Sequence, residues 1–330
     1  MSSIESNIIA DAAALQRADS FTGRGWLKTI APAKVNLHLA IGARRADGYH
    51  EATSVMHALN LHDVVYLRRE DAVPGTGLTI EVEMFGRGDV EAPDVPLEKN
   101  IITRALRALA AAIGRDADEI VRVHVEKNIP AEAGLAGGST DAAAALVGAC
   151  RLWNIDPESQ DVEDVARSLG SDVAFFLHGG CASFVGSGDA FVRSLAPMKC
   201  SVVLVKPAEG VSTKRAYETF DANPTPLSAE ASAQLDAATE AVDVPLFNNL
   251  APASEVLLPK LAEIRTWLAS CEGVRGALLC GSGSSTFAIC DSHDIASAIV
   301  VEARKRGLWA RATSFGSVRA LVIDQEGGAR

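Results

Sequence analysis

The sequence predicts an α+β protein of roughly two domains, and three observations carry that prediction. The chain has 330 residues, which at about 150 residues per domain corresponds to two. Strand-like and helix-like hydrophobic patterns are interspersed along it, with no repeat period. Between Val123 and Trp153 a strand, a glycine-rich loop and an alanine-rich helix follow one another directly. Such a length also supports a sizeable core, because larger domains bury a greater share of their surface.

Residues 1–26 read as an N-terminal extension, expected to be partly disordered, with a short helical stretch around Ile8 to Arg17. The first strand is expected over Ala33 to Ile41. There Val35, Leu37, Leu39 and Ile41 alternate with Lys34, Asn36, His38 and Ala40, the period of a half-buried strand. Lys34 and Asn36 therefore share a face. Asp47-Gly48 signals a hairpin, followed by an extended stretch from Tyr49 to about Arg68. Leu78 to Met84 and Val121 to Glu126 read as a further strand pair, with helical spacing over Asn100 to Ile113 between them. Asp161 to Leu169 reads as a short helix ending at Gly170, before an apolar segment over Val173 to Leu177. In the second half Val202 to Val205 is strand-like. Lys214 to Phe220, Leu257 to Ala269 and Ile295 to Arg306 have helical patterns. Gly276 to Leu279 and Thr286 to Cys290 flank a second glycine loop, Gly281 to Ser285, and Pro224 to Pro226 is an inserted loop. A domain boundary is expected near Pro197, giving units of 27–197 and 198–330.

Composition excludes several classes. Lys and Arg total 31 against 42 Asp and Glu, a net charge of −11. That balance argues against a nucleic-acid partner, since phosphate backbones reward clustered cations. It leaves room for a small anionic ligand held by backbone N–H groups. No apolar run approaches the ~18 residues of a membrane span, and the leading residues lack a basic segment before an apolar block. The six cysteines form no CxxC pair and the seven histidines no HExxH motif. They read as reduced, mostly buried thiols and non-ligating imidazoles, in a cytoplasmic protein with no metal site of its own.

The loop after Pro130 is the sharpest chemical feature. Glycines let a ligand approach bare main chain, and the first N–H groups of the following helix are unpaired at the positive end of its dipole. Ser139 or Thr140 can cap that helix. The combination suits phosphates, yet it is neither a Walker A loop nor a dinucleotide fingerprint; an ordinary strand-to-helix turn is the alternative. Glu132 counts against phosphate unless it points to solvent. Lys34 is either a solvated strand lysine or a buried cation. Asp172 is either part of a helix cap or a carboxylate facing a cleft. Tyr49 and His50 are turn residues, or a pair that stacks on and hydrogen-bonds a flat heterocycle. Gly281 to Ser285 is a plain turn, or a second backbone wall against the same ligand.

Three separated segments resemble one family: Pro32-Ala33-Lys34-Val35-Asn36-Leu37, Arg44-Arg45-Ala46-Asp47-Gly48-Tyr49-His50-Glu51, and Pro130 through Gly134-Leu135-Ala136-Gly137-Gly138-Ser139-Thr140-Asp141. Leu169-Gly170-Ser171-Asp172-Val173 and Gly281-Ser282-Gly283 follow at matching distances. The pattern is similar to the GHMP kinase superfamily, and within it to the branch acting on a CDP-linked methylerythritol. The resemblance implies a ribosomal protein S5 domain 2-like N-terminal ATP-binding domain and a ferredoxin-like C-terminal domain, with the active site between them. It further implies that ATP, carrying Mg²⁺, phosphorylates a C2 hydroxyl in the non-mevalonate route to isoprenoid precursors, in a monomer or homodimer. Lys34 and Asp172 match the catalytic pair. Asn100, Lys127, Pro130, Ala131, Glu132, Ala133, Gly134, Leu135, Ala136, Gly137, Gly138, Ser139, Thr140 and Asp141 match the nucleotide site. Asn36, Tyr49, His50, Ser212 and Thr213 match the substrate side. The chain departs from the family at Ala131-Glu132-Ala133, where glycines and small residues are common, at Ala174 for proline, and at Asn249 and Ala251 for acids. Rival readings are a homoserine- or mevalonate-type kinase, a non-catalytic ligand sensor, and a structural protein whose glycine loops are only turns.

Overall fold

The structure is a computed structural model that describes residues 25–46 and 48–323. The stretch expected to be helical around Ile8 to Arg17, and Asp47 of the hairpin turn, lie outside the described residues. The described residues open on two long antiparallel strands, β1 (Leu27–Arg44) and β2 (His50–Asp71). A crossover follows through β3 (Leu78–Gly86), α1 (Ile101–Ala112) and β4 (Glu119–Lys127); β4 lies parallel to β3 and antiparallel to β2. The glycine loop leads into α2 (Gly137–Trp153), then α3 (Gln160–Leu169) and α4 (Ser171–His178), before the hairpin of β5 (Cys181–Val185) and β6 (Ala190–Leu195). A second sheet starts with β7 (Ser201–Lys206). After α5 (Thr213–Ala222), α6 (Ala229–Ala237), β8 (Phe247–Asn248), α7 (Ala251–Leu257) and α8 (Lys260–Ser270), it gains β9 (Val274–Leu279) and β10 (Thr286–Cys290). Finally α9 (His293–Lys305) precedes β11 (Trp309–Ser314) and β12 (Leu321–Ile323).

The first sheet runs β12-β1-β2-β4-β3, with β5 paired to β2 and β8 to β1; the second runs β11-β7-β10-β9. Helices α1 to α4 cover one face of the first sheet, where Leu67, Leu106, Val123 and Phe175 are buried together. Its other face meets the second sheet through Leu37, Leu59, Leu204 and Phe287. Behind the second sheet, Ile264, Leu268 and Ile299 of α8 and α9 seal the far side. Burying each such side chain contributes about 1.5–3 kcal/mol. The chain passes between sheets from Leu195 to Ser201, but β8 and β12 return to β1. Among the described residues no helix is long and apolar enough to cross a membrane.

Sequence patterning marks most elements. Helix α1 buries Ile102, Ala105, Leu106 and Leu109 on one stripe, and Asn100 caps it by accepting from Ile102 N–H at 2.9 Å. Three expectations need correction. The strand over Ala33 to Ile41 alternates, but it is buried on both faces: Lys34 and Asn36 are each only 4% exposed, because helix α2 packs over β1. Neither Ser139 nor Thr140 caps α2; Ala136 does, in a left-handed conformation at φ 59° and with no side-chain bond. The expected helix over Leu257 to Ala269 is broken into α7 and α8 around Pro259, whose ring cannot continue the earlier ladder.

Candidate active site

A cavity of about 750 Å³ opens where the first glycine loop, β1, α4 and the second glycine loop converge. Its wall includes Lys34, Asn36, Asn100, Lys127, the loop from Pro130 to Gly138, Asp141, Asp172, Ser212 and Thr213. Ser139, Thr140, Tyr49 and His50 are not part of the wall.

Lys34 is locked from two directions. Its N–H donates to Leu135 O at 3.2 Å, which ties β1 to the glycine loop. Its ammonium donates to Asn36 Oδ1 at 2.8 Å and stands 3.4 Å from Asp172 Oδ1. Asn36 in turn donates to Ser54 Oγ at 2.8 Å, so its amide cannot turn freely. Asp172 lies in the first turn of α4, and its side chain is one-third exposed while that of Lys34 is buried. The lysine is thus a fixed cation in the wall, and Asp172 is the carboxylate that an entering hydroxyl can reach.

The glycine loop exposes main chain. Thr140 N–H is bonded back to Ala136 O at 2.9 Å, and helical geometry leaves the N–H groups before it without intrahelical partners. Gly134 (φ +74°) sits so close to the second loop that a Cβ would fall 2.0 Å from Cys280 O. Glu132 and Ala136 are also left-handed, at φ 52° and 59°. Such geometry costs about 1 kcal/mol per non-glycine residue and is typical of ligand-holding loops. Glu132 is exposed, so its carboxylate need not oppose an anion in the loop.

The second glycine loop is both the turn joining β9 to β10 and a wall against the first. Ser284 N–H and Oγ both donate to Glu132 O at 3.1 Å, and Ser285 N–H donates to Ala133 O at 3.1 Å. Asn248 secures this turn by donating to Leu279 O at 2.9 Å and Gly281 O at 2.7 Å. Across the cavity mouth Thr213 and Ser282 share a hydroxyl hydrogen bond of 2.9 Å. Asn249 donates to Ile41 O and accepts from Ile41 N–H, each at 2.8 Å, so it braces the end of β1.

Beneath the first loop, Lys127 is buried between Asp63 and Asp141. Burial alone would lower the lysine's pKa, but the charges of Asp141 and Asp63 raise it to about 12. Burial pushes Asp141 well above the ordinary carboxylate range, against the pull of Lys127 and with the repulsion of Asp63. Asp141 Oδ1 and Thr140 Oγ1 are buried and have no hydrogen-bond partner. Thr140 is therefore a core residue, outside the cavity wall and with its N–H already used within the helix.

Tyr49 and His50 diverge. Tyr49 is 67% exposed, whereas the His50 side chain is buried, with Nε2 donating to Asp221 Oδ1 at 2.6 Å. Its ring lies 5.1 Å from that of Tyr217 and 6.3 Å from Phe220. Tyr217 lines the cavity, and its phenol pKa is raised by burial and then by the charge of Asp172. Sequence reasoning singled out neither Tyr217, Asp221 nor Asp63. The available signal was the four-residue spacing of Tyr217 and Asp221 on a helix beginning just after Ser212, which aligns them on one face.

Known proteins match this chain in sequence and in fold. Residues 100–180 fit the family model for the GHMP kinases N terminal domain, and 233–307 that for GHMP kinases C terminal. A 4-diphosphocytidyl-2-C-methyl-D-erythritol kinase of Desulfitobacterium hafniense is 34% identical over 86% of this chain and 93% of its own length. One of Pelotomaculum thermopropionicum is 38% identical over 85% and 94%. A solved 4-(cytidine 5'-diphospho)-2C-methyl-D-erythritol kinase superposes with a TM-score of 0.69 at 31% identity, covering 88% of this chain and 99% of that one. A homoserine kinase from Cytophaga hutchinsonii, 19% identical, has a TM-score of 0.67 over 92% and 98%, which shows a shared fold.

Proposed function

The chain belongs to the 4-diphosphocytidyl-2-C-methyl-D-erythritol kinase family of the GHMP kinases, and on that premise we propose how its own residues carry the reaction. The activity is ATP-dependent phosphorylation of the C2 hydroxyl of 4-diphosphocytidyl-2-C-methyl-D-erythritol, in the non-mevalonate route to isoprenoid precursors. The observation that carries the residue assignment is the Lys34–Asp172 pair, 3.4 Å apart in a cavity walled by the glycine loop.

Phosphoryl transfer needs positioning and charge cancellation more than covalent chemistry. Gly137 and Gly138 lack side chains and stand at the positive end of α2, an arrangement that fits a triphosphate. Asp172 orients the acceptor hydroxyl and receives its proton; Lys34, held by Asn36, stabilises negative charge as it develops between acceptor and donor. ATP supplies the phosphoryl group, and Mg²⁺ carried with the nucleotide would offset negative charge on the phosphates. Among the described residues no three His, Cys, Asp or Glu side chains gather to hold a cation by themselves. On the acceptor side, His50 faces the cytosine, oriented by Asp221, while Asn36, Ser212 and Thr213 border the methylerythritol. We assign the ATP-binding unit to residues 27–197 and the second unit to 198–330, with β8 and β12 lent back to the first sheet.

An ATP-consumption assay with 4-diphosphocytidyl-2-C-methyl-D-erythritol, homoserine and mevalonate side by side tests the substrate. Turnover is expected with the first alone. Equal turnover with homoserine would overturn the reading.

A further inference from the structure

Asp63 is fully buried on β2 and lies outside the cavity wall. Its Oδ1 accepts from the N–H groups of Asn128 and of Ile129, the latter at 2.8 Å. These residues lead out of β4 toward the glycine loop. Its Oδ2 accepts from Lys127 Nζ, and the same ammonium donates to Asp141 Oδ2, where the second turn of α2 begins, at 2.5 Å. A Cβ built on Gly137 would stand 3.4 Å from that Nζ, so the positive charge lies against the first residue of the helix. One carboxylate thereby holds the loop at both ends: its entry through two backbone N–H groups, its exit through the ammonium bridge.

Buried ion pairs are poor sources of stability, because desolvation offsets most of their attraction, and apolar replacements are often neutral. Three ionisable groups sealed under a ligand loop therefore point to a use in geometry. We propose that Asp63 is a positioning residue for the nucleotide: it fixes the Lys127 ammonium and the N-terminus of α2 in the attitude that receives the phosphates of ATP, without touching ATP. The proposal rests on the reading of the glycine loop as the ATP site. Asparagine at position 63 keeps an oxygen for the two N–H groups but loses the charge that draws Lys127 under Gly137. Glutamate keeps the charge and displaces it by one methylene. Either change falls on the donor side of the cavity, away from His50 and Tyr217.

The test uses the full-length enzyme with Asp63→Asn and Asp63→Glu. Wild type is first titrated with ADP by calorimetry; absence of binding there removes the ATP reading itself. Where wild type binds, each variant is expected to raise the KM for ATP and weaken ADP binding by about tenfold, the scale of one charge-assisted hydrogen bond. The KM for the cytidylyl substrate should stay within about twofold of wild type, since no contact on that side changes. A role in folding alone would lower the melting temperature and move both KM values together. That result, or a wild-type KM for ATP in a folded variant of either kind, overturns the proposal.

Discussion

The ammonium of Lys34 and the carboxylate of Asp172 meet at 3.4 Å although one rides a strand buried on both faces and the other begins a short helix. Two rigid elements set the distance. Asn36 draws the lysine from one side, and Gly170 at φ 147° lets the chain turn sharply into α4 from the other. Neither side chain has to reorganise when a hydroxyl arrives.

Lys34→Ala and Asp172→Ala are each expected to lower kcat by about 10²–10⁴, the range of a lost acid–base or charge-stabilising group. ATP affinity should remain largely intact, because the glycine loop keeps its bare main chain in both variants. Steady-state kinetics with nucleotide titration checks this. An unchanged kcat in either variant removes that residue from the mechanism.

Replacing His50 by alanine should raise the KM for the cytidylyl substrate and leave that for ATP alone. Asp221→Asn is expected to produce a weaker version of the same effect, since the 2.6 Å hydrogen bond to His50 Nε2 fixes the ring's orientation. Matching acceptor KM values in wild type and His50→Ala would remove the ring from substrate recognition.

Gly134→Ala places a methyl group where Cys280 O and Gly283 O already stand, at 2.0 and 3.1 Å, and at a left-handed backbone angle. Overpacking and the unfavourable φ together should destabilise the protein by about 2–4 kcal/mol. Urea denaturation measures the loss. Wild-type stability would show that the two glycine loops can separate freely.

Acid should weaken the protein through His57. Its Nδ1 donates to Ala58 O at 2.9 Å and its Nε2 accepts from Met198 N–H at 2.9 Å, so the ring is neutral and fully used. Burial lowers its pKa from 6.5 to about 4. Above pH 6.5 both folded and unfolded forms leave it neutral. As pH falls from 6.5 toward 4 the unfolded chain takes up the proton first, and stability declines by up to about 3 kcal/mol. Denaturation midpoints at pH 7 and pH 4.5 should diverge more in wild type than in His57→Gln; the same divergence in both proteins would exonerate the ring.

Much of this was legible in the sequence, and the reasons differ by element. Helix α1 announced itself because its apolar spacing and Asn100 cap are local facts. The strand over Lys34 showed its period but not its burial, since alternation says nothing of what covers the polar face. The cap of α2 was misplaced because capping rules favour Ser and Thr, while here the loop's hydrogen bonds to Ser284 and Ser285 accompany an unusual angle at Ala136. Asp63 was invisible: in Leu61-His62-Asp63-Val64 it reads as a solvated strand position, and its partners belong to distant segments. Asp221 falls just past the expected helix of Lys214 to Phe220, and its partner His50 is likewise distant in sequence.

Strand β12 pairs Lys28 with Ile323 and Ile30 with Leu321, closing the flank of the earliest strand with one of the last described. During synthesis the start of β1 must therefore wait, its flank unpaired, until residue 323 has left the ribosome. Pairing across so great a sequence distance is slow to form, and an open strand edge invites association with other chains. Removal of residues 321–323 would leave that edge permanently bare and the protein more prone to clumping.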